Sequence, residues 1–192
     1  MNGGMERPAL GRELYSRERI EAAVRRLAAE IAVAYRGQPL IVLGVLKGAL
    51  YFTVDLARAL AEIAGGPSEI FVDYLCVVSY EGTESTANVR LLLEEATPLT
   101  GRHVLIVEDI ADNGLTLAYL QALLLERRPA SLRTCTLFDK PSRRKVKIPL
   151  DYVGLSVPNT FAVGYGLDYQ ERYRNLPYLA ELEIQESQRE LT

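Results

Sequence analysis

The chain is poor in the residues that build metal clusters and redox sites. Its 192 residues hold one histidine, two cysteines and no tryptophan. There is no CxxC and no Cys/His cluster, which argues against a zinc site. Cys76 and Cys135 lie inside apolar, strand-like runs and are expected as reduced core thiols. No apolar run approaches the ~20 residues that cross a bilayer, so no membrane partner is expected. The opening MNGGMERPALGREL has no apolar core and is not expected to be a signal peptide, so the chain is expected in the cytoplasm. Positive charge is not in excess either: 22 Lys and Arg against 25 Asp and Glu leave a net charge of -3. Nothing there predicts a basic face for nucleic acid. The chain has no repeats, no low-complexity linker and no GxxxxGK[ST] nucleotide loop.

What is present is ordinary globular material, 48% hydrophobic and 24% charged, of a length that predicts one domain. It is organised around His103-Val104-Leu105-Ile106-Val107-Glu108-Asp109-Ile110-Ala111-Asp112-Asn113-Gly114-Leu115-Thr116. Val104 to Val107 is a buried strand by its continuous, β-branched-rich apolar run. Two adjacent carboxylates and then Asp112 follow in a short acidic loop. Beyond Thr116 the pattern turns helical, with Leu117, Leu120, Leu124 and Leu125 on one face. Backbone N–H groups at such a helix start are unpaired and attract anions. The three acids would repel a bare anion but suit a ligand that carries a phosphate, a diol and a bound cation together.

The elements around it alternate. Residues 1–15 read as a loosely held arm. Ser16 caps a helix whose apolar positions run from Ile20 to Ile31, and Gly37 ends it. Strands are predicted at Leu40–Leu46, 69–79, 89–94, Ser131–Phe138, Tyr152–Val157 and Tyr178–Ile184, with a second helix over 49–64. Between Tyr80 and Asn88 the chain becomes polar and small, which predicts a mobile loop. Alternating strands and helices predict an α/β fold with a mainly parallel central sheet flanked by helices. Ligands of such sheets sit beyond the carboxyl ends of the strands. Lys47-Gly48 and Glu108-Asp109 both follow such ends and can share one crevice.

The Glu108–Thr116 loop resembles the phosphoribosyl pyrophosphate (PRPP) motif of the type I phosphoribosyltransferases. Glu108, Asp109, Asp112, Gly114 and Thr116 match it, and Asn113 replaces the usual Thr or Ser. A strand ending in paired acids also begins a response-regulator receiver domain, so this loop alone leaves both open. The C-terminal third separates them. Lys140-Pro141-Ser142-Arg143-Arg144-Lys145, Asp151-Tyr152-Val153-Gly154, Phe161-Ala162-Val163-Gly164-Tyr165-Gly166-Leu167-Asp168-Tyr169 and Arg172-Tyr173-Arg174-Asn175-Leu176-Pro177 resemble the purine-binding region of the hypoxanthine-guanine phosphoribosyltransferase family. Orotate and uracil enzymes have different segments here. The resemblance covers about residues 10–184.

The resemblance implies a single type I phosphoribosyltransferase domain over 1–192, with a small hood built from N- and C-terminal segments. It implies a flexible active-site loop over 80–88 headed by Ser79 and Tyr80, and a purine-binding and hood region over 140–184. The substrates would be PRPP with hypoxanthine or guanine, and the products IMP or GMP and pyrophosphate. The 5′-phosphate would sit on Asp112, Asn113, Gly114, Leu115 and Thr116, and the ribose on Glu108 and Asp109. Lys47, Gly48 and Arg174 would take pyrophosphate. In the family a strained, often cis, peptide precedes that lysine.

The purine would meet Lys140, Phe161, Ala162 and Asp168. Phe161 offers a ring to stack on. Lys140 offers a donor to the 6-oxo group and a poor partner to the amino group of adenine. Mg²⁺ would be held near Glu108, Asp109 and Asp168. Asp112 is the candidate general base for the purine N7 proton. Taken singly, Lys140 and Arg174 read as solvated surface charges, Lys47-Gly48 as a structural helix start, and the 80–88 segment as a plain hairpin loop. The family usually forms dimers or tetramers, and the residues rank neither that choice nor hypoxanthine, guanine and xanthine. Ala162 replaces a common valine, which is expected to loosen the purine pocket. The competing reading is a regulator of the same fold that binds PRPP or nucleotide without turnover. The 15-residue arm is expected to be too short for a helix-turn-helix, and the net charge is negative.

Overall fold

The computed structural model describes residues 9–80 and 88–183. The elements are β1 (Ala9–Tyr15), α1 (Arg17–Ala34), β2 (Pro39–Leu46), α2 (Leu50–Ala61), β3 (Glu69–Tyr80), β4 (Asn88–Leu93), β5 (His103–Ala111), α3 (Leu115–Leu125), β6 (Ser131–Asp139), β7 (Tyr152–Ser156), β8 (Ala162–Val163) and β9 (Leu179–Glu183). Six strands form the main sheet in the order β4-β3-β2-β5-β6-β7. β2, β3, β5, β6 and β7 are parallel, and β4 is antiparallel at the edge.

The alternation along the central strands decides which face each residue covers. In β2, Leu40 and Val42 join the core under α1 and α2, while Ile41, Leu43 and Val45 join the core under α3. In β5, Leu105 and Val107 face the first core and Val104 and Ile106 the second. Both strands therefore carry no polar side chain over Leu40–Leu46 and Val104–Val107, as a sheet covered on both faces requires. α1 lays Ile20, Ala23, Val24, Leu27, Ala28, Ile31 and Ala32 on the sheet. Its Ser16 Oγ accepts from the Arg19 N–H at 3.4 Å, a cap of the kind worth about 1 kcal/mol. Gly37 then takes a left-handed φ of 68°.

Two expectations change. Ala9–Tyr15 is not a loose arm but strand β1, paired antiparallel with β9 in a three-stranded hood sheet, order β1-β9-β8. Its polar, alternating residues carry no strand signal of their own; pairing with β9 makes the strand. The 179–183 strand, inside the 140–184 region expected to contribute to the hood, is the central strand of this sheet. Glu108 and Asp109 are not in a loop: β5 continues through them to Ala111, with Glu108 opposite Thr136 and Ala111 opposite Asp139 in β6. The apolar run ends at Val107 while the ladder continues, because β6 supplies partners beyond it. Ser79 and Tyr80 end β3 in register with Val89 and Asn88. The rest of the expected flexible loop, 81–87, lies outside the described residues, as does Ile184.

Candidate active site

β5 and β6 set the floor of the site. Asp109 stands near the end of β5, Asp112 just after it, and Lys140 just after β6. The Lys140 backbone N–H donates to the Ala111 carbonyl at 3.0 Å, which holds the two strand ends together. Opposite them stands the hood, with Phe161, Ala162, Leu167 and Asp168. Between floor and hood lies a cleft of about 650 Å³ lined by Asp109, Asp112, Lys140, Phe161, Ala162 and Asp168 among others. Six predicted site residues, far apart in sequence, thus share one wall-to-wall space.

Lys140 is 6% exposed, and its ammonium donates to the Thr160 carbonyl at 2.7 Å. Burial lowers its pKa from the ordinary lysine value, while the Asp112 carboxylate pulls it back up. Phe161 leaves its ring 38% exposed and is braced edge-to-face by Tyr169, with centroids 5.7 Å apart. An apolar ring facing a cleft and a buried cation beside it form a surface for a flat ligand with an acceptor at its edge.

Glu108 does not line the cleft. It is buried behind Asp109, and its Oε2 has no hydrogen-bond partner among the described residues. Burial, and then the charge of Asp109, pushes its carboxyl well above the usual range. Burial also raises Asp109, while the Glu108 carboxyl, the Ile110 N–H and then Arg174 oppose the shift.

The loop expected to hold phosphate starts at Asp112. Gly114, with φ of 87°, turns the chain into α3. A side chain there would be strained by that φ, and its Cβ would meet Arg144 Cδ at 3.0 Å. The Asn113 side chain folds back on its own helix start: its Oδ1 accepts the Leu115 N–H at 2.9 Å. One of the amides expected to hold phosphate is therefore already occupied by the chain itself. Asn113 carbonyl oxygen accepts the Lys145 N–H at 2.9 Å. Thr116 follows in the first turn of α3.

The Leu46–Lys47 peptide is cis. Gly48 next to it is enclosed: an added Cβ would lie 1.7 Å from Asp109 Oδ2. A Cβ on Gly166, whose φ is 102°, would lie 1.9 Å from the Gly48 carbonyl oxygen. Only glycine at both positions lets the β2–α2 loop, the β5 carboxylate and the hood meet. Arg174 completes the edge. It pairs with Asp168 Oδ1 at 2.7 Å and donates to the Gly166 carbonyl at 2.8 Å.

The comparisons fit this geometry. A phosphoribosyl transferase domain model matches residues 11–170. The hypoxanthine-guanine phosphoribosyltransferase of Bacillus subtilis is 44% identical over 170 residues, covering 88% of this chain and 91% of its own. That of Leishmania donovani is 43% identical over 176 residues, covering 88% and 82%. The Trypanosoma cruzi hypoxanthine phosphoribosyltransferase in complex with the product IMP superposes with a TM-score of 0.83 at 42% identity, covering 90% of this chain and 94% of that one.

The chain belongs to the hypoxanthine-guanine phosphoribosyltransferase family.

As a phosphoribosyltransferase of this family, it has site residues that sequence reasoning missed. Arg143 pairs with Asp112 at 2.7 Å. Arg144 pairs with Asp139 and donates to the Asp112 carbonyl at 3.1 Å. Both follow Lys140 in the KPSRRK run, but nothing in that run says which acid each arginine meets. Glu171 pairs with Lys47 at 2.9 Å across 124 residues. Its only signal was its place between Asp168 and Arg174.

Proposed function

We propose that the protein transfers the 5-phosphoribosyl group of PRPP to N9 of hypoxanthine or guanine, making IMP or GMP and releasing pyrophosphate in purine salvage. The observation that carries this reading is the single cleft that joins Asp112 and Lys140, at the ends of two strands, to Phe161 and Asp168 in the hood. The purine stacks on Phe161. Lys140 donates to its 6-oxo group, and the walls near Ala162 and Asp168 take its far edge. The 5′-phosphate lies on the α3 N-terminus, from Asp112 to Thr116. The ribose diol meets Asp109, which lines the cleft, and Glu108, expected beside it at the diol, backs Asp109 from its buried position. Lys47, Gly48 and Arg174 take the diphosphate.

In the reaction the C1′–oxygen bond to pyrophosphate breaks and the C1′–N9 bond forms. The nearby carboxylates stabilise the cation-like sugar centre. Asp112 accepts the N7 proton as N9 attacks. Ser79 and Tyr80 head a segment that would exclude water from this centre.

A hard cation fits the donors at this site. Among the described residues no three acids, histidines or cysteines are grouped to hold a metal alone. Mg²⁺ characteristically binds through one or two carboxylates with substrate oxygens and water. Asp109 and Asp168, which both line the cleft, are that kind of set, and the unpartnered Oε2 of Glu108 stands behind them. When bound, Mg²⁺ neutralises part of the diphosphate charge. The protein is expected to work in the cytoplasm as a dimer or tetramer; no described helix is long and apolar enough to cross a membrane. Sedimentation tests the assembly.

The deciding experiment is nucleotide formation from PRPP and Mg²⁺ with hypoxanthine, guanine, xanthine and adenine. Turnover of the first two with adenine inert is the expected result. Binding of PRPP or nucleotide without turnover of any base would replace the enzyme by the regulator.

A further inference from the structure

Glu171 sits where a ligand's negative charge is expected. Its Oε2 accepts from Lys47 Nζ at 2.9 Å, and its Oε1 lies 3.3 Å from Arg174. These are the two cations assigned above to pyrophosphate. One comes from the β2–α2 loop and the other from the hood, so this carboxylate spans the two sides of the subsite. The backbone is bent to put it there. Gln170 and Glu171 have φ of 52° and 64°, a region that costs non-glycine residues free energy and that surrounding contacts must enforce. The Glu171 N–H donates to Asp168 Oδ2 at 2.8 Å, which anchors the turn. Arg174 still has an open donor: its Nε is buried with no acceptor among the described residues.

We infer that Glu171 is a built-in counter-anion of the pyrophosphate subsite, holding Lys47 and Arg174 while the subsite is free and giving way to the diphosphate when it binds. The inference rests on the proposed transferase reading. A single carboxylate can do this because its hold is weak. The Lys47 and Glu171 side chains are 62% and 64% exposed, and exposed pairs contribute little and are screened by salt. A diphosphate carries several charges and more acceptor oxygens, so it wins the exchange. After transfer the carboxylate competes with the bound pyrophosphate and hastens its departure. Glu171 is thus a positioning residue: it keeps both cations aimed and does not touch the reacting atoms.

The test is pyrophosphate binding, by calorimetry with Mg²⁺, to the wild type and to Glu171→Gln. The amide keeps size and polarity but not charge. Its affinity should rise by roughly two- to five-fold, the worth of one exposed ion pair. The gain should fade in high salt. Lys47→Met and the double variant complete a cycle. Lys47→Met should cost more affinity in the Glu171→Gln background, where Lys47 is no longer neutralised. Unchanged or weaker pyrophosphate binding in Glu171→Gln, or no coupling in the cycle, overturns the counter-anion. Nucleotide formation by the wild type separates the two levels. Normal turnover with either of those results leaves the transferase reading intact. No turnover and no pyrophosphate binding by the wild type would overturn both.

Discussion

Arg143 donates from Nε to Oδ1 of Asp112 at 2.7 Å, so the candidate general base is held by a cation before any purine arrives. The pair is partly exposed, with side-chain exposures of 52% and 36%. It orients the carboxylate more than it stabilises the fold. It also leaves Oδ2 as the oxygen not engaged by Arg143.

That pair decides how Asp112 should be tested. Asp112→Ala removes both the base and the partner of Arg143, whereas Asp112→Asn keeps an acceptor for Arg143 and removes only the base. Both variants should retain PRPP binding and lose about 10²–10⁴-fold in turnover, the usual contribution of a general base. Single-turnover kinetics with a PRPP titration checks this. An Asn variant near the wild-type rate would assign Asp112 to holding Arg143 alone.

Asn113 makes the second case. Its Oδ1 occupies the Leu115 N–H, so a 5′-phosphate must displace it to use that amide. Asn113→Thr should therefore tighten PRPP binding by a few-fold, since one neutral hydrogen bond contributes about 0.5–1.5 kcal/mol net. Unchanged PRPP affinity would remove Asn113 from the phosphate site.

Lys140 gives the site a pH limit. Burial lowers its pKa below the ordinary 10.5 of lysine. As pH rises through that lowered value the ammonium is lost earlier than an ordinary surface lysine would lose it. Hypoxanthine KM should rise on the alkaline side accordingly. Lys140→Met should remove the part of the profile that belongs to the protein and weaken hypoxanthine binding by about ten-fold or more, as for a charged hydrogen bond of about 1.5–3 kcal/mol.

Glu108 should show the cost of its burial. Its carboxyl is raised well above 4.5, first by desolvation and then by Asp109. A raised carboxyl favours the neutral form in the folded state, so the ionised group destabilises the fold above its folded pKa. As pH falls through that value the cost disappears. Glu108→Gln should therefore raise the melting temperature at neutral pH by about 2–4 °C, the shift that corresponds to about 1 kcal/mol in a chain of this size. The gain should vanish in acid, and PRPP binding should weaken. Calorimetric melting at two pH values checks the sign.

The sequence by itself determined the parts of this protein that depend on local pattern. Continuous apolar runs placed β2 and β5, and 3.6-residue periodicity placed α1 and α3, because a sheet covered on both faces and an amphipathic helix select residues position by position. The turn into α3 was legible because Asp112, Gly114 and Thr116 are close in the chain. The tertiary structure decided what depends on distant partners. Polar Ala9–Tyr15 became a strand only because β9 pairs with it. β5 ran on through Glu108 and Asp109 only because β6 offers partners there. Arg143 on Asp112, Asn113 on its own helix and Glu171 on Lys47 are choices among many charged or polar neighbours. Composition cannot rank such neighbours, because exposed ion pairs are weak and geometry alone selects among them.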